Sequence, residues 1–92
     1  MSTLDLIKTT NEIALQIAKD FKHARKFKHI TQKELSEQSG VSFGSIKRFE
    51  QTGEISFISL IKISRVIDQL DCFDNMFKNI KYESIEDLLN DK

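Results

Sequence analysis

Apolar residues recur along this chain three and four positions apart, the spacing of one helix face, and alternate only at Leu4 and Leu6 and across residues 79–82. Proline is absent and glycine occurs three times, so the pattern predicts an all-α chain with few breaks. Thr9 followed by Glu12 makes a capping box, from which a first helix runs to about Lys28. Ile13, Ile17, Phe21, Ala24 and Phe27 form its expected buried stripe, with Lys19, Lys22 and Lys26 on the other side. A second capping box, Thr31 and Glu34, opens a short helix ending at Ser39-Gly40, where glycine suits a left-handed cap. Ser42 caps a third helix that stops near Thr52-Gly53. Ser56 caps a fourth, Phe57 to Leu70, whose apolar positions wrap nearly all round, as expected of a central helix. Asp71 can cap a fifth helix carrying Phe73, Met76 and Phe77, and Ser84 with Asp87 opens a last turn bearing Ile85, Leu88 and Leu89. The expectation is a five-helix domain over residues 9–78, an arm at 1–8 and a C-terminal extension at 79–92.

Ninety-two residues make one small domain that buries roughly two-thirds of its unfolded surface, so tight packing or oligomerisation is expected to help it. Lysine plus arginine and aspartate plus glutamate each number 14, but the charges are segregated. Residues 19–48 hold eight basic against three acidic side chains, and residues 66–92 hold three basic against seven acidic. That asymmetry points to an anionic partner for the first half. No apolar run exceeds three residues, far short of a membrane span, and no membrane partner is expected. The lone Cys72 cannot close an internal disulfide, and it reads as a small, partly buried residue. His23 and His29 lie in the basic segment as surface or phosphate-adjacent groups. The chain has no metal-ligand spacing, glycine-rich phosphate loop or nucleophile elbow. No metal, no cofactor and no enzymatic activity are expected, and the expected compartment is the cytoplasm.

The most informative stretch is ITQKELSEQSGVSFGSIKRFEQTG, Ile30 to Gly53. It reads as helix, tight turn at Gly40, then helix, with Leu35, Val41, Ile46 and Phe49 placed to lock the two at a steep angle. Ile46, Phe49 and Glu50 share the inward face of the second helix, leaving Phe43, Gly44, Lys47, Arg48 and Gln51 outward. Gln32 opening one helix, Glu34-Leu35 within it, the Gly40 turn, Ser45-Ile46 and the closing Glu50 together resemble the XRE-type helix-turn-helix domain of the lambda and 434 phage repressors. The resemblance covers roughly residues 10–70. Arg48-Phe49-Glu50-x-Thr52-Gly53-x-Ile55-Ser56 looks most like HipB-like antitoxins and related small regulators.

What the resemblance implies is a repressor-like DNA-binding domain whose base-reading positions fall on Ser42, Phe43, Gly44 and Arg48, with Ser45 beside them. Arg48 would read guanine bidentately, and Phe43 would pack on a thymine methyl or else tuck against the preceding helix. The repressors often carry glutamine at the positions of Phe43 and Gly44, so part of the specificity is expected from DNA shape or half-site spacing. Gln32 resembles the family's phosphate-clamping glutamine, sited at a helix N-terminus that itself favours anions. Lys33, Lys47 and Thr52 are further backbone contacts, while Lys22, Lys26 and Lys28 read as solvated face. Arg25 and Glu50 match the family's structural ion pair.

Such modules bind palindromic double-stranded DNA as homodimers, on half-sites about one helical turn apart. Phe73, Met76, Phe77, Ile80, Tyr82, Ile85, Leu88 and Leu89 supply a surplus of apolar area for a dimer or partner contact, although Phe73 and Phe77 also suit an ordinary core. The expected function is a dimeric DNA-binding regulator, a repressor, acting on the nucleoid of a bacterium or phage host. The alternative is an antitoxin that holds a HipA-like kinase toxin inactive and regulates its own operon.

Overall fold

The computed structural model describes residues 8–78 and 89–90. Among them, four α-helices follow one another with short connections: α1 Thr10–Phe27, α2 Gln32–Ser39, α3 Phe43–Thr52 and α4 Phe57–Val66, then a 3-10 turn at Leu70–Phe73. Residues 1–7 of the expected arm and residues 79–88, with Ile80, Tyr82, Ile85 and Leu88, lie outside the described residues.

Local chemistry sets the start of each helix. Thr9, Thr31, Ser42 and Ser56 are extended N-caps whose hydroxyls accept from the backbone N–H three residues on, and the Thr9 and Thr31 boxes are completed by Glu12 and Glu34. The Thr31 backbone N–H, then its hydroxyl, hold the Glu34 carboxyl below the usual glutamate range. A depressed folded pKa adds stability at neutral pH, which is lost as pH falls through that value.

Helix ends divide into two kinds. Gly40 (φ 78°) and Gly53 (φ 82°) take left-handed caps after α2 and α3. α1 and α4 close without glycine. After α1, His29 (φ 58°) donates to the Lys26 carbonyl at 2.9 Å and Ile30 to Arg25 at 3.3 Å. After α4, Asp68 (φ 58°) donates to Arg65 at 3.2 Å and Gln69 to Ser64 at 2.9 Å. Both are Schellman closures carried by a polar residue in the left-handed region.

The core is Ala18, Phe21, Leu35, Val41, Ile46, Phe49, Ile63 and Ile67, with Ala24, Ile30, Ile55, Leu60 and Val66 packed against it. The Phe21 and Phe49 rings meet edge to face at 5.4 Å, joining α1 to α3. α3 packs on both α1 and α2, and α2 on α4. The close approach to α1 is clearest at Gly53, where an added Cβ would lie 2.7–2.9 Å from Ala14.

Four expectations are corrected. The buried line of α1 is Ala18, Phe21 and Arg25: of the expected stripe Phe21 is core and Ala24 packs against it, whereas Ile17 and Phe27 are 49% and 81% exposed. Where the cap after α3 comes nearest α1 it meets Ala14, whose small side chain allows the approach. α4 ends at Val66 rather than Leu70, stopped by the Asp68 closure. It is not surrounded either, since Phe57 and Ile58 are exposed. The fifth helix is instead the short 3-10 turn, with no side-chain cap. Beyond it Met76 and Phe77 stay exposed, so a longer helix would have had almost nothing to bury. Among the described residues no helix is long and apolar enough to cross a membrane.

Gly53→Ala meets both a left-handed φ and the Ala14 backbone, and is expected to cost about 2–4 kcal/mol. Gly40→Ala, with the same φ but open space around its Cβ position, should cost only about 1 kcal/mol. Thermal denaturation of the two variants checks the difference.

Candidate nucleic-acid interface

α3 has two faces. Ile46 and Phe49 are fully buried and the Glu50 carboxylate is 2% exposed, while Phe43, Gly44, Ser45, Lys47, Arg48 and Gln51 face solvent. The helix is therefore held by one side and free on the other.

The holding point is a buried charge cluster. Arg25 Nε donates to Glu50 Oε2 at 2.7 Å and Nη2 to Oε1 at 2.8 Å, a bidentate pair with side-chain exposures of 7% and 2%. The remaining Arg25 nitrogen, Nη1, donates to the Ile30 carbonyl at 2.8 Å, and Gln32 Nε2 donates to Glu50 Oε1 at 3.0 Å. One node thus ties α1, the α1–α2 turn, α2 and α3. No buried side-chain nitrogen or oxygen among the described residues lacks a partner. The other amide hydrogen of Gln32 and its carbonyl oxygen remain for an outside contact.

Beside this node lies an open basic concavity lined by Lys22, Arg25, Lys26, Thr31, Gln32, Lys33 and Phe43. It joins the N-terminus of α2 to the N-terminal end of α3, and no acidic residue lines it. Lys22 and Lys26, read from sequence as solvated face, belong to this surface. Their i, i+4 spacing astride Arg25 was the available signal. Lys28 instead pairs with Asp68 at 3.1 Å. Phe43, 47% exposed, forms the concavity's apolar wall.

The other expected contacts are engaged to different degrees. Ser42 is the α3 cap: its hydroxyl accepts from the Ser45 N–H at 3.2 Å and lies 2.8 Å from the Ser45 hydroxyl, leaving Ser45 the freer donor. Thr52 donates its only hydroxyl hydrogen to the Arg48 carbonyl at 2.8 Å, and its oxygen accepts from the Glu54 N–H at 3.2 Å. As a phosphate donor it is already committed. Arg48 is outward, with its side chain 68% exposed, but it is not free: Nε and Nη2 both donate to Glu54 Oε2, at 3.2 and 2.6 Å. Helical spacing gave no hint of Glu54, because the pair spans six positions across a helix end. Gly44 has nothing within 4 Å of where a Cβ would stand, so packing within the chain does not demand glycine there.

At the C-terminal side Phe73 stacks edge to face on Phe57 at 5.9 Å. Phe77 is 86% exposed and so is not core, while Met76 and Leu89 are 39% and 76% exposed. Cys72 is exposed rather than partly buried as a residue. Partial burial of its sulfur, then the Asp71 and Asp74 carboxylates, nevertheless push the thiol up, away from reactivity at neutral pH. His23 and His29 are exposed. No group of three histidine, cysteine or acidic side chains among the described residues is placed to hold a metal.

A family model described as helix-turn-helix matches residues 21–71, more than half of the chain. The match takes in the end of α1, all of α2, α3 and α4, and the start of the 3-10 turn. No curated protein and no solved structure matches the chain.

Glu50→Ala strands a buried guanidinium and is expected to cost about 3–5 kcal/mol. Arg25→Ala with Glu50→Ala should cost less than the two singles summed, because neither charge is then left alone. Denaturant unfolding of the singles and the double measures that coupling.

Proposed function

The chain belongs to the XRE-type helix-turn-helix family of DNA-binding transcription regulators, and from that premise we propose that it is a dimeric repressor laying α3 in the major groove. The observation that carries the reading is the two-sided α3, with Ile46, Phe49 and Glu50 fixed inward and Arg48 outward. A helix is about 10–12 Å across and the major groove about 12 Å wide, so one exposed helix face fits it.

In this reading Arg48 takes guanine O6 and N7, Phe43 meets a thymine methyl, and Ser45 and Lys47 lie along the groove wall. Gln32, Lys33 and the α2 N-terminus hold phosphate, with Lys22 and Lys26 extending the same basic surface. Gly44 permits close approach of the α3 backbone to DNA. Two copies meet through the C-terminal apolar side chains Phe73, Met76, Phe77 and Leu89; the further expected contacts Ile80, Tyr82 and Leu88 lie outside the described residues. Dimerisation sets the half-site spacing on a palindromic operator.

The same surface supports a second reading. Phe77 and Leu89 are exposed in a single chain and belong to the acidic stretch 66–92, a combination that also suits a different protein. In that case the chain is an antitoxin whose C-terminal side holds a HipA-like toxin, with operator binding as feedback. Light scattering of the chain alone, and with a HipA-like kinase added, shows whether this surface takes a second copy or a different protein.

Selection of bound sites from random duplex DNA tests the reading directly. An enriched palindrome whose binding weakens steeply with salt is the expected result, and no enrichment overturns it. Against the selected site, Arg48→Ala should relax preference at one base pair per half-site, whereas Gln32→Ala should weaken all sequences alike. Gly44→Ala, in the first turn of α3, should raise stability by roughly 0.5 kcal/mol, less than the full interior propensity difference, while weakening DNA binding. Melting curves and titrations of the same variant show whether the two move in opposite directions.

A further inference from the structure

Arg48 and Glu54 are both exposed, and an exposed ion pair ordinarily carries little weight. The backbone beneath this one is fixed. Thr52 donates to the Arg48 carbonyl, the Glu54 N–H donates to Thr52, and the Gly53 N–H closes on the Phe49 carbonyl at 2.7 Å. Gly53 is itself lodged against Ala14 of α1. Glu54 therefore stands at a set distance from the last turn of α3, and its carboxylate meets Arg48 without the entropic cost of ordering a loop.

Which guanidinium edge is used matters more than the pair's strength. Glu54 Oε2 takes Nε and Nη2, the side edge. The end edge, Nη1 together with the second hydrogen of Nη2, has no protein partner among the hydrogen bonds of the described residues. Two parallel N–H groups on one edge are what guanine O6 and N7 accept. A paired arginine also has less net attraction for a passing phosphate than a free one.

Resting on the reading of α3 as the groove-reading helix, we infer that Glu54 is a positioning residue for base readout. It holds Arg48 by its side edge, presents the end edge to guanine and suppresses phosphate binding by Arg48. Specificity at that base pair is thus a property of two residues, one on the helix and one in the loop that follows.

The test uses the full chain as parent, Glu54→Ala, Glu54→Gln and Arg48→Ala. Each is titrated against the parent's selected site, the same site with its guanine replaced, and random duplex DNA, with melting curves alongside. Glu54→Ala should lower the preference for guanine roughly tenfold, within the range of one bidentate contact. It should bind random DNA more tightly and melt where the parent melts. Glu54→Gln, whose amide oxygen still accepts from Arg48, should keep most of the preference while sharing the tighter random binding. The inference is overturned if Glu54→Ala discriminates like the parent, or if Glu54→Gln loses as much preference as Glu54→Ala. A lowered melting temperature with equal loss on all DNA overturns it too, since the role would then be structural. If the parent enriches a guanine-containing site that Arg48→Ala no longer prefers, these outcomes bear on Glu54 alone. If the parent enriches nothing, the repressor reading falls and this inference with it.

Discussion

The buried bond between Arg25 and Glu50 sets the orientation on which the rest depends. Removing both charges from water is expensive, and continuum reasoning gives such a pair no assured net stability over two well-packed apolar residues. What it supplies is direction. A carboxylate gripped through both oxygens by one guanidinium allows α3 little rotation about its own axis. Successive residues on a helix are about 100° apart. A shift of one position would turn Ile46 and Phe49 toward solvent and bring Lys47 or Arg48 under α1. The node thereby protects the exposed face by fixing the hidden one.

Its setting explains why the charges tolerate burial. The Schellman closure of α1 at His29 brings the Ile30 carbonyl round to Arg25 Nη1, and the capping box at Thr31 aims α2 so that Gln32 reaches Glu50. At the far end α3 is stopped by Gly53, which settles against Ala14. At the near end Ser42 caps it. The helix is thus fixed in rotation by ions, in length by its caps and in height by small residues. Each constraint comes from a different physical source, so one substitution does not release the others.

Much of this was legible in the sequence, and the parts that were not share a cause. Cap chemistry is local, so Thr9, Thr31, Ser42, Ser56, Gly40 and Gly53 could be placed from neighbours alone. So could the inward set Ile46, Phe49 and Glu50, fixed by helical periodicity. The buried line of α1 was misread in part, at Ile17 and Phe27, because periodicity weighs large apolar residues. A close crossing prefers Ala14 and Ala18, and the buried partner of Glu50 is an arginine. The end of α4 was misplaced because Asp68 occupies a left-handed position where glycine is the usual signal. Glu54 was missed because its pairing with Arg48 crosses a helix end, where neither period applies. In the candidate site, single helix faces could be read, and groups assembled from several elements could not.

On the proposed reading, a chain with no net charge approaches DNA in one orientation, because a polyanion senses charge over about a Debye length, roughly 8–10 Å in physiological salt. Within that range the concavity of Lys22, Lys26 and Lys33 presents cations with no acid among its lining residues. The one exposed arginine of α3 is neutralised by Glu54. The two surfaces therefore divide the work of binding. On the proposed reading, the concavity draws in phosphate whatever the sequence, and α3, carrying less unpaired charge, is left to discriminate between bases. On the same reading, the exposed carboxylates of Asp68, Asp71 and Asp74 oppose the approach of that end to DNA, which favours a single way of docking. Segregated charge thus achieves what a uniformly basic surface would not, since uniform attraction would hold every sequence equally well.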